Sequence, residues 1–104
     1  MINLEKFLNN GGKRYRVSSK TKVRLNLSDT LTLSPASDEF VVFFSESSFG
    51  VDCTTARTTL TDIGYNQVGV PVIFGVGESV TFSYSKPTQN GTTEGEAYIY
   101  EEDV

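Results

Sequence analysis

Cys53 is the chain's one thiol, and the sequence contains no histidine. A thiolate nucleophile needs a base or an electropositive pocket beside it. The commonest general base and metal ligand is therefore missing, and the neighbouring Asp52 raises a thiol's pKa. The sequence favours a buried structural cysteine, packing as a small hydrophobe. A single cysteine also excludes an internal disulfide. Glu94, Glu96, Glu101, Glu102 and Asp103 could hold a hard cation, but no EF-hand spacing is present. They read as a solvated acidic end, with no metal and no cofactor. No two carboxylates are marked out for glycoside hydrolysis. Gly75-Val76-Gly77-Glu78-Ser79 has the glycines of a phosphate loop but not its spacing, and a strand follows where a helix is required. These residues predict a protein that is not an enzyme.

Lys13-Arg14-Tyr15-Arg16 mixes cations with an aromatic ring, as nucleic-acid binders do. The whole chain is acidic, however, with a net charge of −4 and a pI near 4.7. Its long-range field repels phosphate, so an acidic protein surface is the better partner. The charge is also unevenly placed. Residues 1–24 carry seven cations against Glu5, a balance of +6, while residues 25–104 carry two cations against twelve acids, a balance of −10. Such asymmetry predicts an interaction arm. Lys13, Arg14, Tyr15, Arg16, Lys20 and Lys22 would contact the partner, helped by Phe7 and Leu8. Tyr65, Tyr84, Tyr98 and Tyr100 offer a second possibility, a platform on which sugars stack. The sequons at Asn26-Leu27-Ser28 and Asn90-Gly91-Thr92 read as chance matches, because the N-terminus lacks the apolar run of a signal peptide.

The elements that must position these residues are strands. Residues 3–8 could form a short helix capped by Asn3 and ended by Asn9-Asn10-Gly11-Gly12. Val23, Leu25, Leu27, Leu31 and Leu33 share one parity, which predicts one long strand, bent at Asp29, with a single buried face. Glu39–Phe44 is apolar on both faces, like a central strand covered on both sides. Val51–Leu60 is a weaker, threonine-rich strand candidate. Val68, Val70, Val72, Phe74 and Val76 alternate without a break, with Pro71 pointing to an edge. A turn at Gly77-Glu78-Ser79 would then pair Val76 with Val80 and Phe74 with Phe82. Glu96–Glu101 makes a last strand. Val72, Phe74, Val80 and Phe82 are expected in one core cluster, with Phe40, Val42 and Phe44 nearby.

Short strands separated by turn signals predict an all-β fold, a single small antiparallel β-sandwich or barrel with a short N-terminal helix or arm. One hundred and four residues make one domain. The expected division is a basic arm over 1–22, the β-domain over 23–101 and an acidic tail over 102–104. Small β-sandwich components of virus and phage particles resemble this chain in size and in Thr/Val/Gly-rich style. The resemblance covers no motif, so it carries over no functional residue. The function expected is that of a structural assembly protein, such as a capsid decoration or head/tail protein. It would self-associate, or dock on another structural protein with an acidic surface, and end in the virion after synthesis in the host cytoplasm. The alternative function is that of a carbohydrate- or surface-binding module; the alternative location to the virion is the cytoplasm.

Overall fold

The computed structural model describes residues 14–26, 28–46, 50–64, 68–85 and 91–103. They contain eight strands: β1 (Tyr15–Asn26), β2 (Thr30–Leu33), β3 (Phe40–Ser45), β4 (Val51–Thr54), β5 (Thr59–Ile63), β6 (Pro71–Ile73), β7 (Val80–Tyr84) and β8 (Thr92–Glu102). The strands form two four-stranded antiparallel sheets that pack as a sandwich. The first sheet runs β1-β8-β3-β6 and the second β2-β7-β4-β5. The short helix expected over 3–8 lies outside the described residues.

Alternation builds the space between the sheets. Val23, Leu25, Val41, Phe43 and Ala97 come from the first sheet, and Val51, Cys53, Val80 and Phe82 from the second. The rings of Phe43 and Phe82 meet across the layer with centroids 4.9 Å apart. Phe74 joins the same cluster, with Val72 packed against it, as the sequence predicts for Val72, Phe74, Val80 and Phe82. Each fully buried aliphatic or aromatic side chain contributes about 1.5–3 kcal/mol. Gly95 sits where the Phe43 ring lies on the sheet. A Cβ there would stand 2.5 Å from that ring.

Three expectations are corrected. Residues 23–33 are not one bent strand. The chain turns at Ser28, whose φ is 72°. The Asp29 amide donates to the Asn26 carbonyl at 3.0 Å, and the Asp29 carboxylate accepts the Asn26 N–H at 2.9 Å. This corner carries the chain from the first sheet to the second. Val23, Leu25, Leu31 and Leu33 still face one core, because a sandwich core takes side chains from both sheets.

The run from Val68 to Val76 is also not one strand. Only Pro71–Ile73 pairs regularly, on the edge of the first sheet where a proline is tolerated. Beyond Ile73 the backbone follows β3 irregularly, with the Phe74 amide on the Val41 carbonyl and the Gly77 amide on the Glu39 carbonyl. Val68 and Val76 are exposed. The hairpin through Gly77–Ser79 does not form, since β6 and β7 belong to different sheets. Val51–Leu60 resolves into the β4–β5 hairpin, turned at Thr55–Thr58 by a 2.8 Å bond from the Thr55 amide to the Thr58 carbonyl.

The third correction concerns the arm. Tyr15–Lys22, assigned to it from charge, are the first part of β1 and pair with β8 from Glu102 to Glu96. Glu102, assigned to an acidic tail, is the last residue of β8. The boundaries drawn at 22 and 101 therefore fall inside strands.

Candidate functional site

The two outer faces of the sandwich differ in kind. On the second sheet, Thr32, Thr81, Thr54 and Thr59 lie in register across all four strands. The Thr32 and Thr81 hydroxyls share a 2.8 Å hydrogen bond. Thr30, Ser83 and Asp52 continue this polar face. That is the ordinary state of an antiparallel sheet with one side in water.

The outer face of the first sheet is half apolar and half charged. A bulge at Ser18 interrupts the β1–β8 register between Val17 and Ser19. It lets Tyr15 and Val17 face outward while Val23 and Leu25, of the same parity, face the core. Val17 pairs with Tyr100, which pairs with Phe40. Lys20 pairs with Tyr98, which pairs with Val42, which pairs with Ile73. Phe44 and Pro71 extend the band. The Phe40 and Tyr100 rings stack at 5.4 Å, and Tyr15 meets Phe40 edge-on at 5.1 Å. Tyr98 meets Phe44 edge-on at 5.7 Å. Phe40 and Val42 have no solvent exposure, yet they lie outside the cluster between the sheets. Phe40, Val42 and Phe44, expected to pack near the cluster of Phe74, instead face the other side of the sheet. The residues of β3 that enter that core are Val41 and Phe43.

The charged half is a cross-strand ladder. Arg16 Nε lies 2.9 Å from Glu101, and Lys20 Nζ 3.2 Å from Glu96. Lys22 Nζ lies 2.7 Å from Glu46 and 3.8 Å from Glu94, and Arg24 Nε is 3.5 Å from Glu94. The Tyr98 hydroxyl donates to Glu96 at 2.6 Å, and Lys20 also sits 5.8 Å from the Tyr98 ring centroid. Hydrogen bonds from Tyr98 and Lys20 hold the Glu96 carboxyl below its ordinary range. The bond to Glu96 raises Lys20, and the bond to Glu46 raises Lys22. Donation to Glu96 keeps the Tyr98 phenol protonated to higher pH, and burial does the same for Tyr100.

Of the residues expected to contact a partner, Arg16, Lys20 and Lys22 thus already have acidic partners in their own chain. Arg14 is exposed, and its carbonyl accepts the Asp103 amide at 2.7 Å. Tyr15 lies on the aromatic band. Phe7, Leu8 and Lys13 lie outside the described residues. The band itself, with Phe40, Val42, Phe44, Ile73 and Tyr98 at its centre, was missed as a site. Its signal was present in β3, whose sequence is apolar on both faces.

The other candidates resolve simply. Cys53 is buried in the core, and its thiol is pushed up to about 12 by desolvation, with the Asp52 charge adding to the shift. No group of three or more metal-binding side chains occurs among the described residues. The Gly77 and Glu78 amides bond to the carbonyls of Glu39 and Gly75, so this turn does not cradle a phosphate. Tyr84 is buried between the sheets, and Tyr65 lies outside the described residues, which reduces the tyrosine platform to Tyr98 and Tyr100. Among the described residues, no helix is long and apolar enough to cross a membrane. No family model matches the chain, and no curated protein or solved structure shows significant similarity to it.

Proposed function

We propose that the chain is a non-enzymatic structural protein that works by assembling with further copies of itself, as small virion components such as capsid decoration or head/tail proteins do. The observation that carries this reading is the apolar band on the outer face of the first sheet. A solitary sandwich keeps such a face polar, as the second sheet does here. Phe40 and Val42 at the band's centre have no solvent exposure and Phe44, Ile73, Tyr98 and Tyr100 are half-buried, so the apolar surface left for another body lies along the band's upper rings and its rim. Rings of Tyr and Phe are also the side chains that protein interfaces enrich. The band's rim is open at Val17, which is 46% exposed.

The contact is apolar in this reading and not electrostatic. Arg16, Lys20 and Lys22, three of the cations assigned to docking from the sequence, are paired with acids of their own chain, and single surface pairs contribute only about 0–1 kcal/mol each. Assembly should therefore survive added salt. Native mass by light scattering tests this across a range of protein concentration at low and high salt. The expected result is a mass above one chain in both salts, falling to one chain in Val17→Glu. A wild-type protein that stays monomeric throughout would refute it.

The sugar-binding alternative is less well supported. The Tyr98 and Tyr100 rings are tilted by 42° to one another. One face of Tyr100 is stacked on Phe40, which leaves no flat pair of free faces.

A further inference from the structure

We infer that the open edge of β1 between Ser19 and Asn26 is a docking site for an extended segment of another protein in which acidic and apolar residues alternate. The inference concerns a different surface from the assembly reading and does not rest on it. A strand at the rim of a sheet turns alternate N–H and C=O groups away from its one neighbour, and an extended chain can pair with them. The two sheets have four such rims, and three of them are short. β6 has three residues and begins with Pro71, β2 has four, and β5 has five beside a register shift. β1 has twelve. The bulge at Ser18 interrupts its first part, but from Ser19 to Asn26 the pairing with β8 runs without a break. Among the described residues, no strand pairs with its other edge.

The side chains of this stretch say what kind of strand fits. Lys20, Lys22 and Arg24 stand in a row on its outer face. Their acids are Glu94 and Glu96 on β8 and Glu46 beyond it, all on the side away from the open edge. The three cationic side chains remain 56%, 50% and 68% exposed. A strand arriving at the edge therefore meets cations first. Opposite charges facing one another across two strands attract, and like charges repel. The row disfavours β1 of a second copy, which would set cation against cation, and favours acids at alternate positions. The positions between turn inward. There Val23 and Leu25 join the core, and β1 packs against β2. β2 is the rim of the second sheet, and its Leu31 and Leu33 pack on the core while staying only half-buried. The intervening side chains of an added strand would lie over these two leucines, so apolar ones suit them. An alternating pattern reads the same from both ends, so it fits β1 in either direction.

Amide hydrogen exchange of the full chain, read by NMR, tests this in two stages. In the free protein, alternate amides from Ser19 to Asn26 should exchange fast and their neighbours slowly. Uniformly slow exchange would show that the edge is already covered and would overturn the inference. A capped peptide, Glu-Val-Glu-Val-Glu between flanking threonines, should then slow the fast set severalfold, and its binding should weaken as salt is added. Two control peptides should bind severalfold more weakly: the same residues in the order Glu-Glu-Glu-Val-Val, and the alternating peptide with Lys for Glu. Equal binding of either control, protection confined to other strands, or no binding at millimolar peptide would each refute the site. Lys22→Glu should weaken the alternating peptide severalfold. So should Leu33→Thr, which lies on the other sheet and leaves the ion pairs of β1 untouched. Unchanged affinity in either variant, with the fold intact by circular dichroism, would count against the inference.

Discussion

Two interior positions show how single residues set the tolerances of this fold. Gly95 lies opposite Val23 on β1 and Ser45 on β3, at the middle of the first sheet. An added Cβ would meet Phe43 Cε1 at 2.5 Å and the Phe44 carbonyl at 2.6 Å. One neighbour is backbone, so it cannot step aside. Gly95→Ala should therefore cost roughly 1–3 kcal/mol, the usual penalty of overpacking, read as a lower midpoint of chemical denaturation. Thr93, two residues earlier on the same face, is the converse case. Its hydroxyl is fully buried and has no hydrogen-bond partner among the described residues. Thr93→Val removes an unsatisfied group at nearly constant volume and should stabilise the protein by about 1 kcal/mol. A loss of stability on the same measurement would show that the hydroxyl is satisfied. Neither position announces itself in the sequence. Glycine in a strand signals a close approach but not what approaches. Cys53 was readable, because a thiol with no histidine to activate it has little to do except pack.

At the scale of elements, the strongest sequence signal was the separation of cations before residue 25 from acids after it. The separation is real, and what it encodes is the pairing of β1 with β8. Charge counting cannot tell a partner in the same chain from one in another, because that depends on register. A similar ambiguity misplaced β6 and β7. Val68–Val76 and Val80–Tyr84 are close in sequence and match in parity, so a hairpin was the natural reading. Parity is equally satisfied when two strands face one core from opposite sheets. The ladder also sets a pH window. Glu96 is lowered from its ordinary value of 4.5, so its contribution is complete above that value and is lost as pH falls through the lowered one. Lys20 and Lys22 are raised from 10.5, so their contributions are complete below that value and are lost as pH rises through the raised ones. The pairs are largely solvent-exposed, and salt screens them. Lys20→Glu should lower the melting temperature at neutral pH, and Glu96→Lys on that background should restore most of it. A double variant no more stable than the single one would mean that the two groups do not interact.

At the scale of the whole molecule, the first sheet has an apolar layer on each side, and β3 supplies both. Phe43 and Phe40 are equally buried, but the first lies between two sheets and the second on the outside of one. The consequences of emptying the two sites should differ, because the cost of a cavity depends on how far the surroundings can close on it. Phe43 is held between the second sheet's Phe82 and its own strand neighbours, with no freedom to shift inward. Phe43→Ala should cost about 3–5 kcal/mol, the full range for deleting a buried aromatic. Phe40 is flanked by Tyr15 at 5.1 Å and Tyr100 at 5.4 Å, both half-exposed and able to lean into the space. Phe40→Ala should therefore cost about half as much or less, with the sandwich intact by circular dichroism. Denaturant titration of the two full-length variants decides the point. Equal losses would show that the outer layer is as rigid as the inner one. A smaller loss at Phe40 would identify that layer as the part of the molecule able to rearrange when another surface meets it.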